Sequence, residues 1–192
     1  MPDAQKIKKT ILQKGFPDEI VAQFDFPKAE GNQPEEVIAL IDQMDKLLSK
    51  DQCLSVMEEH GCCKTGEGAE AHREFGRKQA GKTVQERIAL FGELNTRHKV
   101  PCRLNDDGTL SFFWGKGEKG NYKCLCRAIN RLQKNNPEPV SVSPTFCGCC
   151  GGHIRHNYQN SLGVKLRLKD VVSSPISSNG EKHCELLYEI VD

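Results

Sequence analysis

LGVKLRLKDVVSSPISSNGEKHCELLYEIV, residues 162–191, holds two stretches of period-2 alternation around a turn. Val164, Leu166 and Leu168 alternate with Lys165, Arg167 and Lys169, which places apolar and charged side chains on opposite faces of a strand. Ser177-Ser178-Asn179-Gly180 supplies turn chemistry, after which Cys184, Leu186, Tyr188 and Ile190 resume the alternation. The spacing predicts an antiparallel hairpin at the C-terminus.

Upstream of the hairpin, a helix is expected from about Cys149 to Ser161, closed by Gly163. It follows a proline-containing segment over 136–144. Tyr122 to Ile129 carries both periods: Tyr122, Leu125, Ile129 and Leu132 fit a helix, whereas Tyr122, Cys124 and Cys126 alternate, and the stretch is read as a strand. Thr109 to Trp114 is β-rich between the turn Asn105-Asp106-Asp107-Gly108 and the glycine-rich turn Gly115 to Gly120. The string Gly115-x-Gly117-x-x-Gly120 is charged and opens no βαβ unit, so a phosphate-binding loop is set aside.

Before Val100-Pro101 the grammar is helical. Pro34-Glu35-Glu36 starts a helix carrying Val37, Ile38, Ile41, Met44, Leu47 and Leu48 at helical spacing. A second runs from Ser49 through Glu59, with Gly61 as the left-handed residue that stops it and Cys62-Cys63 at its exit. A third is expected over Gly68 to Gln79, and Thr83-x-x-Glu86 is a capping box for a fourth. The expected class is therefore α+β: an N-terminal helical layer over 1–99, then an antiparallel sheet with one helix between strand pairs over 100–192, packed as one compact unit.

The chain has 192 residues and a formal net charge of +1, enough length to bury a core without disulfide staples. No basic stripe with interleaved aromatic residues marks a nucleic-acid surface, and the lysines at 6, 8 and 9 read as a solvated helix face. No apolar run is long enough for a signal core or a bilayer span, so a soluble, cytoplasmic protein without membrane association is expected. Reducing conditions there disfavour disulfides, so ten cysteines point to metal binding or thiol chemistry.

The cysteines concentrate in Cys124-x-Cys126 and Cys147-x-Cys149-Cys150-x-x-His153. On a strand, Cys124 and Cys126 would share a face about 7 Å apart. Cys147, Cys149 and Cys150 fall at a helix start, where free N–H groups and the helix dipole favour thiolate, and lowered thiol pKa values are expected. Cys149, His153 and His156 stand at i, i+4 and i+7. Sulfur with imidazole suits Zn2+, which is placed first because structural zinc accepts mixed Cys/His sets. An iron–sulfur cluster is the alternative occupant. Cys53, Cys62, Cys63 and Cys184 are possible additional ligands, while Cys102 and His60, His72, His98 and His183 are read as structural. As nucleophile candidates, a thiol among Cys147, Cys149 and Cys150, with Cys149 and Cys150 placed first, could work with His153 or His156 as base, although no orienting Asp or Asn is identifiable.

From Thr145 to Ile190 the chain reads TFCGCCGGHIRHNYQNSLGVKLRLKD and then SSNGEKHCELLYEI. This resembles the C-terminal pattern of 4-vinyl-reductase domains and of 2-aminothiazoline-4-carboxylate hydrolase-like proteins. The features that carry the resemblance are Gly163 at a helix end, the strand Val164 to Lys169, the turn at Gly180 and Cys184 in the final strand. The resemblance implies a small-molecule-binding α+β domain and places Cys184 near the ligand or metal pocket. The cysteines at 124, 126, 147, 149 and 150 are additions to that pattern.

The functional expectation is a metal-binding domain, zinc first, with a small-molecule pocket. The alternatives are a cysteine-dependent hydrolase or lyase acting on a small sulfur or nitrogen compound, and an iron–sulfur or redox-thiol protein. A small molecule and a second copy of the chain are the partners kept open.

Overall fold

A computed structural model describes residues 2–27, 34–61, 64–96, 99–135 and 142–191, the side chains of residues 127, 128 and 135 excepted. Cys62, Cys63 and His98 lie outside the described residues. Ahead of the sheet come α1 (Ala4–Gln13), α2 (Asp18–Val21), α3 (Pro34–Leu47), α4 (Lys50–Met57), α5 (Glu67–Lys78) and α6 (Val84–Ala89). Their starts follow side-chain chemistry. The Asp3 carboxylate accepts from the N–H groups of Gln5 and Lys6, and Ser49 with Gln52 and Thr83 with Glu86 form reciprocal capping boxes. None of the helices among the described residues is long and apolar enough to cross a membrane.

The second half adds β1 (Cys102–Leu104), β2 (Leu110–Trp114), α7 (Arg127–Asn135), α8 (Gly148–Leu162), β3 (Lys165–Ser173) and β4 (Cys184–Val191). The four strands form one antiparallel sheet in the order β1-β2-β4-β3. This is the α+β arrangement expected, with the C-terminal hairpin in place and Asn179 and Gly180 at positive φ in its turn. The β2–β4 register pairs Leu110 with Tyr188, Phe112 with Leu186 and Trp114 with Cys184. Since alternate residues share a face, these six side chains belong to one side of the sheet.

Two local readings differ from the structure. The strand expected over Tyr122 to Ile129 is not formed: Lys123 makes a single bridge to Lys116, and Asn130 N then donates to Cys126 O as α7 begins. Among the described residues two α-helices, α7 and α8, rather than the one expected, therefore separate the strand pairs. The helical period prevailed because it buries Ile129 and Leu132, at 1% and 5% exposure, whereas the alternation had only five residues to act on. Gly61 is not left-handed either. Its φ is −55°, and it is glycine because a Cβ would overlap the backbone of Gly152.

α8 sits between two apolar clusters. Cys149 packs with α1, α3 and α4 through residues such as Ile7, Leu40 and Met57. Cys147, Ile154, Tyr158 and Leu162 pack with the sheet through Leu110, Phe112, Leu166, Leu168 and Tyr188. Tyr158 and Tyr188 both meet the Phe112 ring edge to face, and Tyr188 Oη donates to Gly151 O at 2.7 Å. Gly163, at φ +69°, ends α8 above the Arg87 guanidinium, which donates to Ser161 O at 3.2 Å.

Candidate functional site

The glycines interleaved with the cysteines at the start of α8 set how closely its neighbours approach. A Cβ on Gly148 would stand 2.7 Å from Met57 Cβ, and one on Gly151 would stand 2.5 Å from Leu168 Cδ2. On Gly152 it would overlap the Glu58 carbonyl. The helix thus lies tight against α4, the turn after it and β3. Glu58, 5% exposed, ties the contact: its carboxylate pairs with Arg155 at 2.7 Å and accepts from Leu168 N at 3.1 Å. Burial, the largest influence on Glu58, raises its pKa from the ordinary carboxylate range.

Held in this way, Cys147 and Cys150 face a small chamber also lined by Cys124, Cys126 and Cys184. Trp114, Leu125, Ile129, Phe146 and Leu186 complete its wall. Each cysteine arrives by a different route. Cys147 closes the short 3-10 turn Pro144–Cys147, Cys150 lies in the first turn of α8, and Cys184 opens β4 directly opposite Trp114. Cys124 and Cys126 precede α7 in a turn where Cys126 N donates to Cys124 Sγ at 3.4 Å and Asn130 Nδ2 donates to Cys124 O at 2.8 Å. The free volume is about 10 Å3, roughly one water-sized body. A groove of about 350 Å3 formed by residues such as Tyr122, Asn130 and Pro175 shares Cys124 and Ile129 with the chamber and leads to the surface.

Burial dominates the protonation of these thiols. It drives Cys147 up, with the neighbouring Cys184, Cys124 and Cys126 adding to the effect, and it carries Cys184 to about 12. Cys124 is raised by burial as well, partly offset by the N–H of Cys126. At Cys150 the contact with Cys126 acts downward, but the Cys149 thiol, burial and the nearby sulfurs outweigh it and raise the group well above the ordinary thiol value. The lowering expected from the helix start is therefore overturned at Cys147 and Cys150: desolvation in an apolar chamber exceeds what one helix terminus supplies.

Of the other described candidates, none lines this chamber. Cys149 is buried in the helical cluster, its thiol touching that of Cys150 at the edge of the chamber, and Cys53, on α4, lies in the same cluster with its pKa pushed up to about 12 by burial and by Asp45. His153 stacks on Trp114 at 5.2 Å and lines a different cleft. The His156 Nε2 is engaged by Lys64 O at 3.0 Å. None of the described residues lining the chamber is a histidine, so neither His153 nor His156 stands there as a base. Cys102 sits in β1, and burial raises its pKa to about 12. Among the described residues, no three His, Cys, Asp or Glu side chains converge in a metal-binding arrangement as the chain stands. The apolar wall residues Trp114, Ile129 and Phe146 carried no functional signal in the sequence. Pairing of Trp114 with Cys184 becomes legible only once the β2–β4 register is known.

Comparison with protein-family models, with curated proteins and with solved structures finds no match.

Proposed function

We propose that the protein binds a single zinc ion in the cysteine chamber, through thiolates drawn from Cys124, Cys126, Cys147, Cys150 and Cys184. The observation that carries this reading is the gathering of five soft donors from three separated stretches of chain into one dry space of about 10 Å3. Such a donor set suits zinc. The space suits one ion rather than an iron–sulfur cluster.

The ligands must lose protons and draw together as the ion enters, because the thiols are held protonated and the sulfurs do not already surround one point. Cysteine nucleophilic catalysis is less well supported: it needs a thiolate and a nearby base, and the chamber favours neither.

Metal analysis of protein purified under reducing conditions without chelator tests the proposal. About one equivalent of zinc is expected, with cobalt replacement giving intense sulfur-to-metal absorption. Replacing Cys147 and Cys184 together by serine should remove most of the metal, whereas Cys53→Ser should leave it bound. Less than about a tenth of an equivalent, together with no uptake of added zinc, would sink the reading.

A further inference from the structure

Residues of α5 and α8, with Asn95, Thr96 and Val100, line a cleft of about 670 Å3. This lies in the size range of small-molecule sites. His153, Asn157 and Tyr158 of α8 form its floor, and His72 of α5 faces them, its ring 4.6 Å from that of Tyr158 and edge-on to it. Tyr158 Oη already accepts from Val100 N at 2.6 Å, and His72 Nδ1 is paired with Ser161 Oγ at 2.8 Å. Asn157 is different. It is 4% exposed, its Nδ2 meets His153 Nε2 at 3.4 Å, and its buried Oδ1 has no hydrogen-bond partner. A buried carbonyl oxygen without a donor is uncommon in folded proteins, and here it belongs to a residue lining a cavity.

The rim decides the kind of donor. Glu67, Glu70 and Glu74 line the cleft, and no lysine or arginine is among its described lining residues. Glu70 is paired with Arg73 and Arg77, and Glu74 with Lys78, which leaves Glu67 as the rim carboxylate without an ion pair among the described residues. An aromatic floor, one unpaired acceptor and an acidic entrance fit a ligand with an apolar body and a cationic N–H head.

We infer that this cleft binds a small organic cation of the amidinium, guanidinium or primary ammonium class, whose N–H pairs with Asn157 Oδ1 while its charge is met by Glu67. The inference concerns a second site and does not depend on what the cysteine chamber holds. The two sites nonetheless share a wall, because Trp114 lines the chamber and stacks on His153.

Trp114 is the chain's single tryptophan, so its fluorescence reports on this wall alone. The full-length protein is titrated with benzamidine, and with benzoate as the anion of similar shape, once as purified and once after chelation. Benzamidine should give a saturable fluorescence change and a rise in melting temperature in both preparations, and benzoate neither. Asn157→Leu should weaken benzamidine at least tenfold, Glu67→Gln severalfold, and Asn157→Asp, which adds a charge at the same place, should strengthen it. Equal responses to benzamidine and benzoate would overturn the inference. So would unchanged benzamidine affinity in Asn157→Leu, or, should that variant not fold, no strengthening in Asn157→Asp. A response lost on chelation but present with metal would also overturn it, by assigning benzamidine to the chamber.

Discussion

His72 shows how one side chain carries both packing and pH dependence. It is 4% exposed between α5 and α8, and burial, followed by the charges of His153 and His156, lowers its pKa to about 4 from an ordinary 6.5. The folded state therefore holds the ring neutral where the unfolded chain would protonate it. That contribution to stability is present in full above the unfolded value and is lost as pH falls from about 6.5 towards 4. His60 and His156 are shifted in the same direction, each chiefly by burial. Glu58 is shifted the other way: its raised pKa gives stability that is present at low pH and lost as pH rises above the ordinary carboxylate value. Comparing the native chain with His72→Gln isolates the one ring. Urea midpoints measured between pH 7 and pH 5 should fall more steeply for the native chain than for the variant. Parallel slopes would show that His72 already titrates normally in the fold.

At the level of elements, the decisive contact is α8 against α4 and the turn that follows it. Gly152 has no room for a methyl group because the Glu58 carbonyl occupies that space, and this is backbone that cannot swing aside. Gly152→Ala should therefore cost about 1–3 kcal/mol or more in denaturant stability, as other insertions into packed interiors do. Gly92→Ala, with nothing within 4 Å of the added carbon, should cost far less. Equal effects would mean that α8 can shift outward freely. Here lies the boundary of what the sequence could tell. The capping boxes at Ser49 and Thr83, the turn at Asn179-Gly180 and the alternating hairpin strands depend on residues close together in the chain, so they were legible. Gly61 is needed because of the Gly152 backbone and Gly152 because of the Glu58 backbone, each about ninety residues away in the chain, and nothing local distinguishes a close-approach glycine from a helix stop. The stretch from Tyr122 to Leu132 misled for a similar reason: burial of Ile129 and Leu132 against the helical cluster selected the helix. Of the site, the grouping of Cys124, Cys126, Cys147 and Cys150 was visible as spacing. In the sequence Cys184 is only one of four possible additions and a feature of the resemblance; setting it apart from Cys53, and placing Cys149 and His153 outside the chamber wall, required knowing how β4 and α8 lie.

Across the whole molecule, the chamber lies where the two apolar clusters meet. Cys124, Cys126 and Cys150 pack against the helical cluster, whereas Cys147 belongs to the sheet cluster and Cys184 opens a central strand. An ion held there would bind the segment before α7, the start of α8 and β4 together, and the unfolded chain would have no equivalent site. Binding the folded state alone stabilises it, by about 2.7 kcal/mol when free ligand stands at a hundred times its dissociation constant. The size of the effect must also depend on pH. The thiols carry raised pKa values, so each that becomes a ligand releases a proton, and acid competes with the metal. Scanning calorimetry with zinc buffered at a fixed free concentration, against chelated protein, should show a rise in melting temperature at pH 8 that shrinks markedly by pH 6. His72 and Glu58 contribute equally to both samples and cancel in the difference. A zinc-induced rise independent of pH would place the ion on ligands that carry no proton to lose, and no rise at either pH would remove the metal from the account of how the two clusters are joined.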